Sequence, residues 1–173
     1  MWFGPLRRRV PTVAILSDTH VPSRARDLPE WVVSRVESAD HVVHAGDFDT
    51  PRTYERVRDL APALTAVRGN TDPGHELDLP AVATTTVGGV EFVVTHGNGR
   101  GGYDRNVVET VAAHGGPDAV GVAGHTHRPR DETVEGVRLL NPGSATGANP
   151  GDVPTTIEAT ARDGDLEVVF HRG

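Results

Sequence analysis

Short runs of valine, alanine, isoleucine and leucine alternate with apolar stripes at helical spacing over most of the chain, so that strands and helices are expected to follow one another. Val13 to Leu16 reads as a buried strand. Pro29 to Ala39 reads as a helix with the proline near its first turn and Trp31, Val32 and Val36 turned inward. A second strand, Val42 to His44, precedes Thr50 and Pro51, an N-cap and first helical position, after which Tyr54, Val57 and Leu60 recur at helical spacing. Leu64 to Val67 forms the third strand. From Ala81 the texture becomes β-like: Thr84 to Val87 and Val90 to Thr95 flank Gly88 and Gly89, the signature of a two-residue hairpin and of a second sheet. Asp104 to His114 carries a helical stripe of Val107, Val108, Val111 and Ala112, and Ala119 to Ala123 is a further strand. Glu135 with Gly136 and Asp163 with Gly164 mark two closing hairpins. The order predicts an α/β fold, two mixed sheets packed face to face and flanked by helices. It also predicts one domain over residues 13–173, preceded by an extension over residues 1–12.

Composition narrows the chemistry without choosing it. With 36% hydrophobic and 24% charged residues among 173, the chain can bury a core and needs no disorder. Cysteine is absent, which excludes disulfides, thiolate metal sites and thiol catalysis and leaves imidazole, carboxylate and amide oxygen as ligands. All 17 basic residues are arginine, scattered against a net charge of -7, so a nucleic-acid backbone is a disfavoured partner. No run approaches the roughly 20 apolar residues of a membrane span, and the start through Arg7, Arg8 and Arg9 lacks the apolar stretch of a secretory signal. A cytoplasmic protein with no membrane partner is expected.

Polar segments follow the apolar runs. Asp18 and His20, then Asp47, Asn70, His96, and finally His125 and His127, each lie just past a predicted strand, where ligands gather along one sheet edge. Taken singly they are ordinary turns and caps: Asp-Thr-His after a strand caps helices, Gly-Asn is a common turn pair, and Asn141-Pro-Gly is a turn. Their order and common context are what make a shared site the economical reading.

As a set the segments resemble the calcineurin-like metallophosphoesterase superfamily, and within it the small prokaryotic phosphodiesterases. The resemblance rests on Ser17 to His20, His44 to Asp47, Gly69 to Asp72, Thr95 to Gly97, Gly124 to His127 and Asn141 to Ser144. It implies a metallophosphoesterase-like four-layer sandwich and two divalent ions. Asp18, His20, Asp47 and His127 would hold one, and Asp47, Asn70, His96 and His125 the other. Asp47 would bridge the pair, and Asp47 and His96 would carry the catalysis. A bridging carboxylate offsets cation repulsion, and neutral imidazole and amide oxygen add ligands without charge. Manganese is the expected ion, with nickel, iron, zinc or magnesium able to use the same donors. The implied reaction is hydrolysis of a small-molecule phosphodiester by hydroxide shared between the ions, with no covalent intermediate.

Two departures qualify the resemblance. Many relatives that cleave monoesters place a proton-donating histidine after the Gly-Asn pair, where this chain has Thr71; a hydroxyl is a poor general acid near neutral pH, which favours diesters with good leaving groups. Asn98 stands where relatives often continue His-Gly-His. His75 is a nearby substitute acid on sequence position alone. His44, Asp49 and Asp72 are candidates to orient ligands. Arg100 in its glycine-rich loop, with Arg24, Arg26 and Arg128, are candidates for substrate contacts, against the plainer reading of solvated surface arginines. Two alternatives stay open. One is a protein-interaction module on the same fold, like the retromer subunit that resembles this family and lacks the bridging aspartate; the other is a nuclease. A homo-oligomer is also open, since relatives often form dimers or tetramers.

Overall fold

The computed structural model describes residues 9–173. Three parallel strands, β1 (Thr12–Leu16), β2 (His41–His44) and β3 (Leu64–Ala66), are linked by helices α1 (Glu30–Ser38) and α2 (Pro51–Leu60). The hairpin β4 (Val82–Val87) and β5 (Val90–Thr95) then opens a second sheet. It continues through α3 (Tyr103–His114), β6 (Val120–Val122), β7 (Arg130–Val134) and β8 (Val137–Asn141). The chain returns as β9 (Thr155–Arg162) and β10 (Asp165–Arg172), which pair antiparallel with each other, β9 also lying against β1. The sheet orders are β10-β9-β1-β2-β3 and β4-β5-β6-β8-β7.

Period-two alternation assigns each apolar residue to a layer. Val13, Ile15 and Val43 point between the sheets to meet Phe92, Val94, Val122 and Ile157. Ala14, Leu16 and Val42 point the other way, onto Val32, Val36 and Val57 of α1 and α2. Val93 and Leu139 pack outward on Val107 and Val111 of α3. The result is the expected layering of helices, sheet, sheet, helix. Phe92 is fully buried at the centre. Phe92→Ala is expected to cost about 3–5 kcal/mol, read as a lower urea midpoint with an unchanged slope.

Boundaries depart from the sequence reading in small ways. Thr12 already belongs to β1, paired with Thr160, one residue ahead of the expected strand start, and residues 1–8 of the expected extension lie outside the described residues. Pro29 occupies the cap position of α1, next to its first turn. Thr50 caps α2 as expected, accepting from Thr53 N–H at 3.2 Å. Ala112 is exposed, because the α3 stripe that meets the sheet is narrower, Val107 and Val111. No described helix is long and apolar enough to cross a membrane.

The topology prepares the site. β1, β2 and β3 run parallel in one sheet, and β5, β6 and β8 run parallel in the other. Parallel strands deliver their carboxyl-terminal loops to a common edge, which is where open α/β sheets place ligands. Every polar segment singled out above leaves one of these six strands.

Candidate functional site

The loops meet so closely that glycine is required where they cross. A Cβ on Gly46, whose φ is +94°, would come within 2.6 Å of Gly69 N, and one on Gly124 would overlap Ser17 Oγ. Among the described residues, eight non-glycine residues have positive φ. Six of them, Asp18, His20, Asp47, Asp49, His125 and His127, belong to these loops, while Glu135 and Asp163 sit in hairpin turns. Left-handed backbone at bulky residues costs energy and persists where the surroundings enforce it, so its concentration marks a built site.

All seven segment residues converge. His20 Nε2 lies 3.2 Å from His127 Nε2, 3.4 Å from Asp47 Oδ2 and 3.8 Å from Asp18 Oδ1. His127 Nε2 is 3.2 Å from Asp18 Oδ1. On the other side His96 Nε2 is 3.2 Å from Asp47 Oδ2 and 2.9 Å from Asn70 Oδ1, and Asn70 Oδ1 is 3.0 Å from His125 Nδ1. Asp18, His20, Asp47, His96 and His127 are buried, whereas Asn70 and His125 are exposed, so the cluster opens to solvent on their side. Asp18 Oδ1 also reaches to 4.0 Å of His96 Nε2, so both carboxylates look toward both halves. Two buried groups could hold a metal ion: Asp18, His20 and His127, and Asp18, Asp47 and His96.

The outer contacts decide which atoms face the centre. His96 Nδ1 lies 2.7 Å from Ala45 O and His127 Nδ1 2.7 Å from Ala148 O. A carbonyl only accepts, so each Nδ1 carries the proton and each Nε2 turns inward. His20 Nδ1 meets Asp49 Oδ1 at 2.9 Å, with the same consequence. The centre is therefore lined by acceptors, three Nε2 lone pairs, two carboxylates and an amide oxygen. Acceptors packed at about 3 Å repel unless a cation lies among them. Burial alone would lower the His96 and His127 pKa values, yet both are raised, chiefly because Asp47 hydrogen-bonds His96 and Asp18 hydrogen-bonds His127. Burial would likewise raise the Asp47 carboxyl, but His96, the Thr71 N–H and His20 hold it well below the usual carboxylate range. His125 is lowered by burial and then by His96. The carboxylates favour positive charge on His96 and His127, as they would favour a metal cation among them, and the donor set fits one.

The orienting candidates divide. Asp49 holds one of the converging imidazoles, that of His20. Asp72 does not: its carboxylate accepts backbone N–H groups of Asp47, Phe48, Asp49 and Gly69. His44 is buried, takes the Gly46 N–H on Nδ1 at 3.2 Å and meets Thr19 Oγ1 through Nε2 at 2.8 Å; burial pushes its pKa down to about 3, so it stays neutral and braces the loops. Thr71 donates its hydroxyl to Asp49 Oδ1 at 2.8 Å. His75 is exposed beside Glu76, 3.2 Å away. Asn98, Arg100, Arg26 and Arg128 are exposed and join none of the hydrogen bonds around the centre among the described residues, while Arg24 donates to Asn149 O at 2.8 Å, one turn past His20.

Several supports carried no distinct signal in the sequence. Ser17 donates to Asp18 Oδ2 at 2.6 Å, Ser144 to Asp18 O at 2.7 Å, and Thr146 to Thr19 O at 2.8 Å. Ser17 and Ser144 stand inside quoted motifs, which was the available hint; the carbonyls of Ala45 and Ala148 leave none.

Comparison with known proteins agrees with this geometry. Residues 12–164 match the calcineurin-like phosphoesterase superfamily domain. A probable metallophosphoesterase of Methanothermobacter thermautotrophicus is 31% identical over 134 residues, covering 78% of this chain and 77% of that one. A protein of Methanocaldococcus jannaschii named as a phosphodiesterase is 26% identical over 157 residues, covering 83% and 89%. Entamoeba histolytica Vps29, solved in complex with zinc, superposes with a TM-score of 0.70 at 26% identity, covering 93% of this chain and 98% of its own. With its two-sheet sandwich and its acceptor-lined centre, the chain belongs to the calcineurin-like phosphoesterase superfamily.

Proposed function

We propose that the protein is a cytoplasmic, metal-dependent phosphodiesterase that hydrolyses small phosphodiesters. Asp18, His20, Asp47 and His127 would hold one divalent ion and Asp47, Asn70, His96 and His125 a second, with Asp47 serving both; manganese is the ion proposed, with nickel, iron, zinc or magnesium as substitutes. The observation that carries the reading is the inward convergence of Nε2, carboxylate and amide oxygen acceptors, each held from behind. When bound, such a pair of ions supplies charge neutralisation for the phosphoryl oxygens and acidifies water.

The chain's own groups set what else can happen. Asn70 and His125 are exposed, so a phosphoryl group enters over them, and the buried His20, His127 and Asp18 form the floor. Thr71 Oγ1 is engaged with Asp49, and His75 is exposed beside Glu76 with no hydrogen bond to the centre among the described residues, so neither is placed to protonate a departing alkoxide. Substrates whose leaving group departs without a protein acid are favoured, which supports diesters over alkyl monoesters. The phosphodiesterase name of the Methanocaldococcus relative points the same way.

The test strips the purified protein with chelator and measures bis-p-nitrophenyl phosphate and p-nitrophenyl phosphate hydrolysis before and after adding manganese, nickel or magnesium. Diester turnover is expected to vanish on stripping, return with manganese and exceed monoester turnover. No metal binding by calorimetry and no turnover with any ion would sink the catalytic reading and leave the interaction module. Salt-sensitive cleavage of oligonucleotides would instead favour the nuclease.

A further inference from the structure

Asp72 is a buried carboxylate, 8% exposed, that among the described residues hydrogen-bonds none of the seven converging side chains, yet it accepts four backbone N–H groups from two loops. Its Oδ1 takes Phe48 N–H at 2.7 Å and Asp49 N–H at 2.9 Å; its Oδ2 takes Asp47 N–H at 2.9 Å and Gly69 N–H at 2.8 Å. Three successive amides, 47 to 49, thus turn toward one point. Backbone bent to aim consecutive N–H groups inward forms an anion-binding concavity. Here the bend includes the positive φ of Asp47 (63°) and Asp49 (80°), and the anion is supplied by the chain itself.

The residues so held lead directly to the centre. Asp47 offers Oδ2 to both His20 and His96, Asp49 fixes His20 through Nδ1, and Gly69 precedes Asn70. We infer that Asp72 is the positioning residue of the centre, its carboxylate clamping the β2 loop to the β3 loop so that Asp47, His20 and Asn70 meet in ligating geometry. This rests on the two-cation reading proposed above. A carboxylate is required because both oxygens accept. Asparagine, of the same shape, can accept on one side only and turns an NH2 toward the other pair of amides, so two of the four hydrogen bonds are lost.

The test compares wild type with Asp72→Asn and, as a control, Asp40→Asn. Asp40 also accepts a backbone amide, Thr12 N–H at 2.8 Å, but at the opposite end of β1. Calorimetric titration of metal-free protein with manganese alone is expected to give affinities about 10–100-fold weaker in Asp72→Asn and unchanged in Asp40→Asn. Amide exchange of residues 47–49 and 69 in the metal-free state is expected to accelerate at least about tenfold in Asp72→Asn only. Should Asp72→Asn fail to fold, Asp72→Glu keeps both oxygens but displaces them by a methylene, and weaker manganese binding is again expected. Wild-type manganese affinity with unchanged exchange in the variant that folds overturns the clamp while leaving the two-cation reading intact. A wild type that binds no manganese overturns both.

Discussion

Asp47→Asn is expected to lower diester hydrolysis at least about a thousandfold while leaving the metal-free protein about as stable as wild type at pH values above the raised pKa of His96. The two effects separate because of how the carboxylate is placed. Asp47 Oδ1 accepts the Thr71 N–H at 2.9 Å, and an asparagine Oδ1 keeps that bond. Oδ2 faces His20 Nε2 at 3.4 Å and His96 Nε2 at 3.2 Å. An amide nitrogen there would donate its two protons to those imidazoles and relieve the convergence of acceptors that a cation otherwise relieves. The same substitution removes a negative oxygen of Asp47, the residue proposed to serve both ions, and an NH2 group would ligate neither. Rates on bis-p-nitrophenyl phosphate, thermal unfolding of stripped protein and manganese titration read the three consequences separately. Retention of more than a tenth of wild-type turnover would remove Asp47 from the reaction. A stripped variant that unfolds well below wild type would show that Asp47 serves mainly the fold.

That reading of Asp47 was accessible from the chain alone in outline, because strand-ending motifs place side chains on one sheet edge whenever the strands are parallel. The mostly apolar runs at Val13 to Leu16 and Val90 to Thr95 match β1 to within one residue and β5 completely, since burial on both faces removes the polar alternation. The hairpins at Gly88, Gly136 and Gly164 were legible for a different reason: each needs positive φ, and the sequence supplies glycine. The braces behind the ligands were much less legible. Asp49 and Asp72 are both plain aspartates in turns, and nothing in their spacing tells that one meets an imidazole and the other four backbone amides. His44 likewise reads the same whether it ligates or braces; only full burial beside Thr19 and the Gly46 N–H settles it as a brace. Contacts made through Ala45 O and Ala148 O have no sequence signature, because every residue owns a carbonyl. Thr71 was visible as a departure from the family, but its engagement by Asp49 needed the β2 and β3 loops side by side.

Manganese is expected to raise the unfolding temperature strongly near neutral pH and far less near pH 6. The sign follows from His96 and His127. Their pKa values are raised in the folded, metal-free protein, with Asp47 and Asp18 overcoming the effect of burial. A raised imidazole adds proton-linked stability that is fully present below its unfolded value of about 6.5 and is lost as pH climbs through the folded value. A metal ion needs the same Nε2 lone pairs, so it must displace those protons, and its affinity grows as they leave on their own. Each displaced proton makes the apparent affinity rise about tenfold per pH unit below the raised values. His125 behaves oppositely: burial lowers it, so it is already neutral above about 6.5 and releases nothing there. Asp47, held ionised by His96 and His20, is available across the whole range. With manganese at a thousandfold excess over its dissociation constant, binding adds about 4 kcal/mol. For a chain of this size that is about 8–16 °C in unfolding temperature. Calorimetric scans at pH 6 and pH 7.5 with and without manganese should show the difference shrink at the lower pH. Titrations in two buffers of unlike ionisation enthalpy should count a proton release of between one and two near pH 6.5. Metal stabilisation that is equal at both pH values, with no protons released, would mean that the ion binds away from His96 and His127 and that the acceptor-lined centre is not its site.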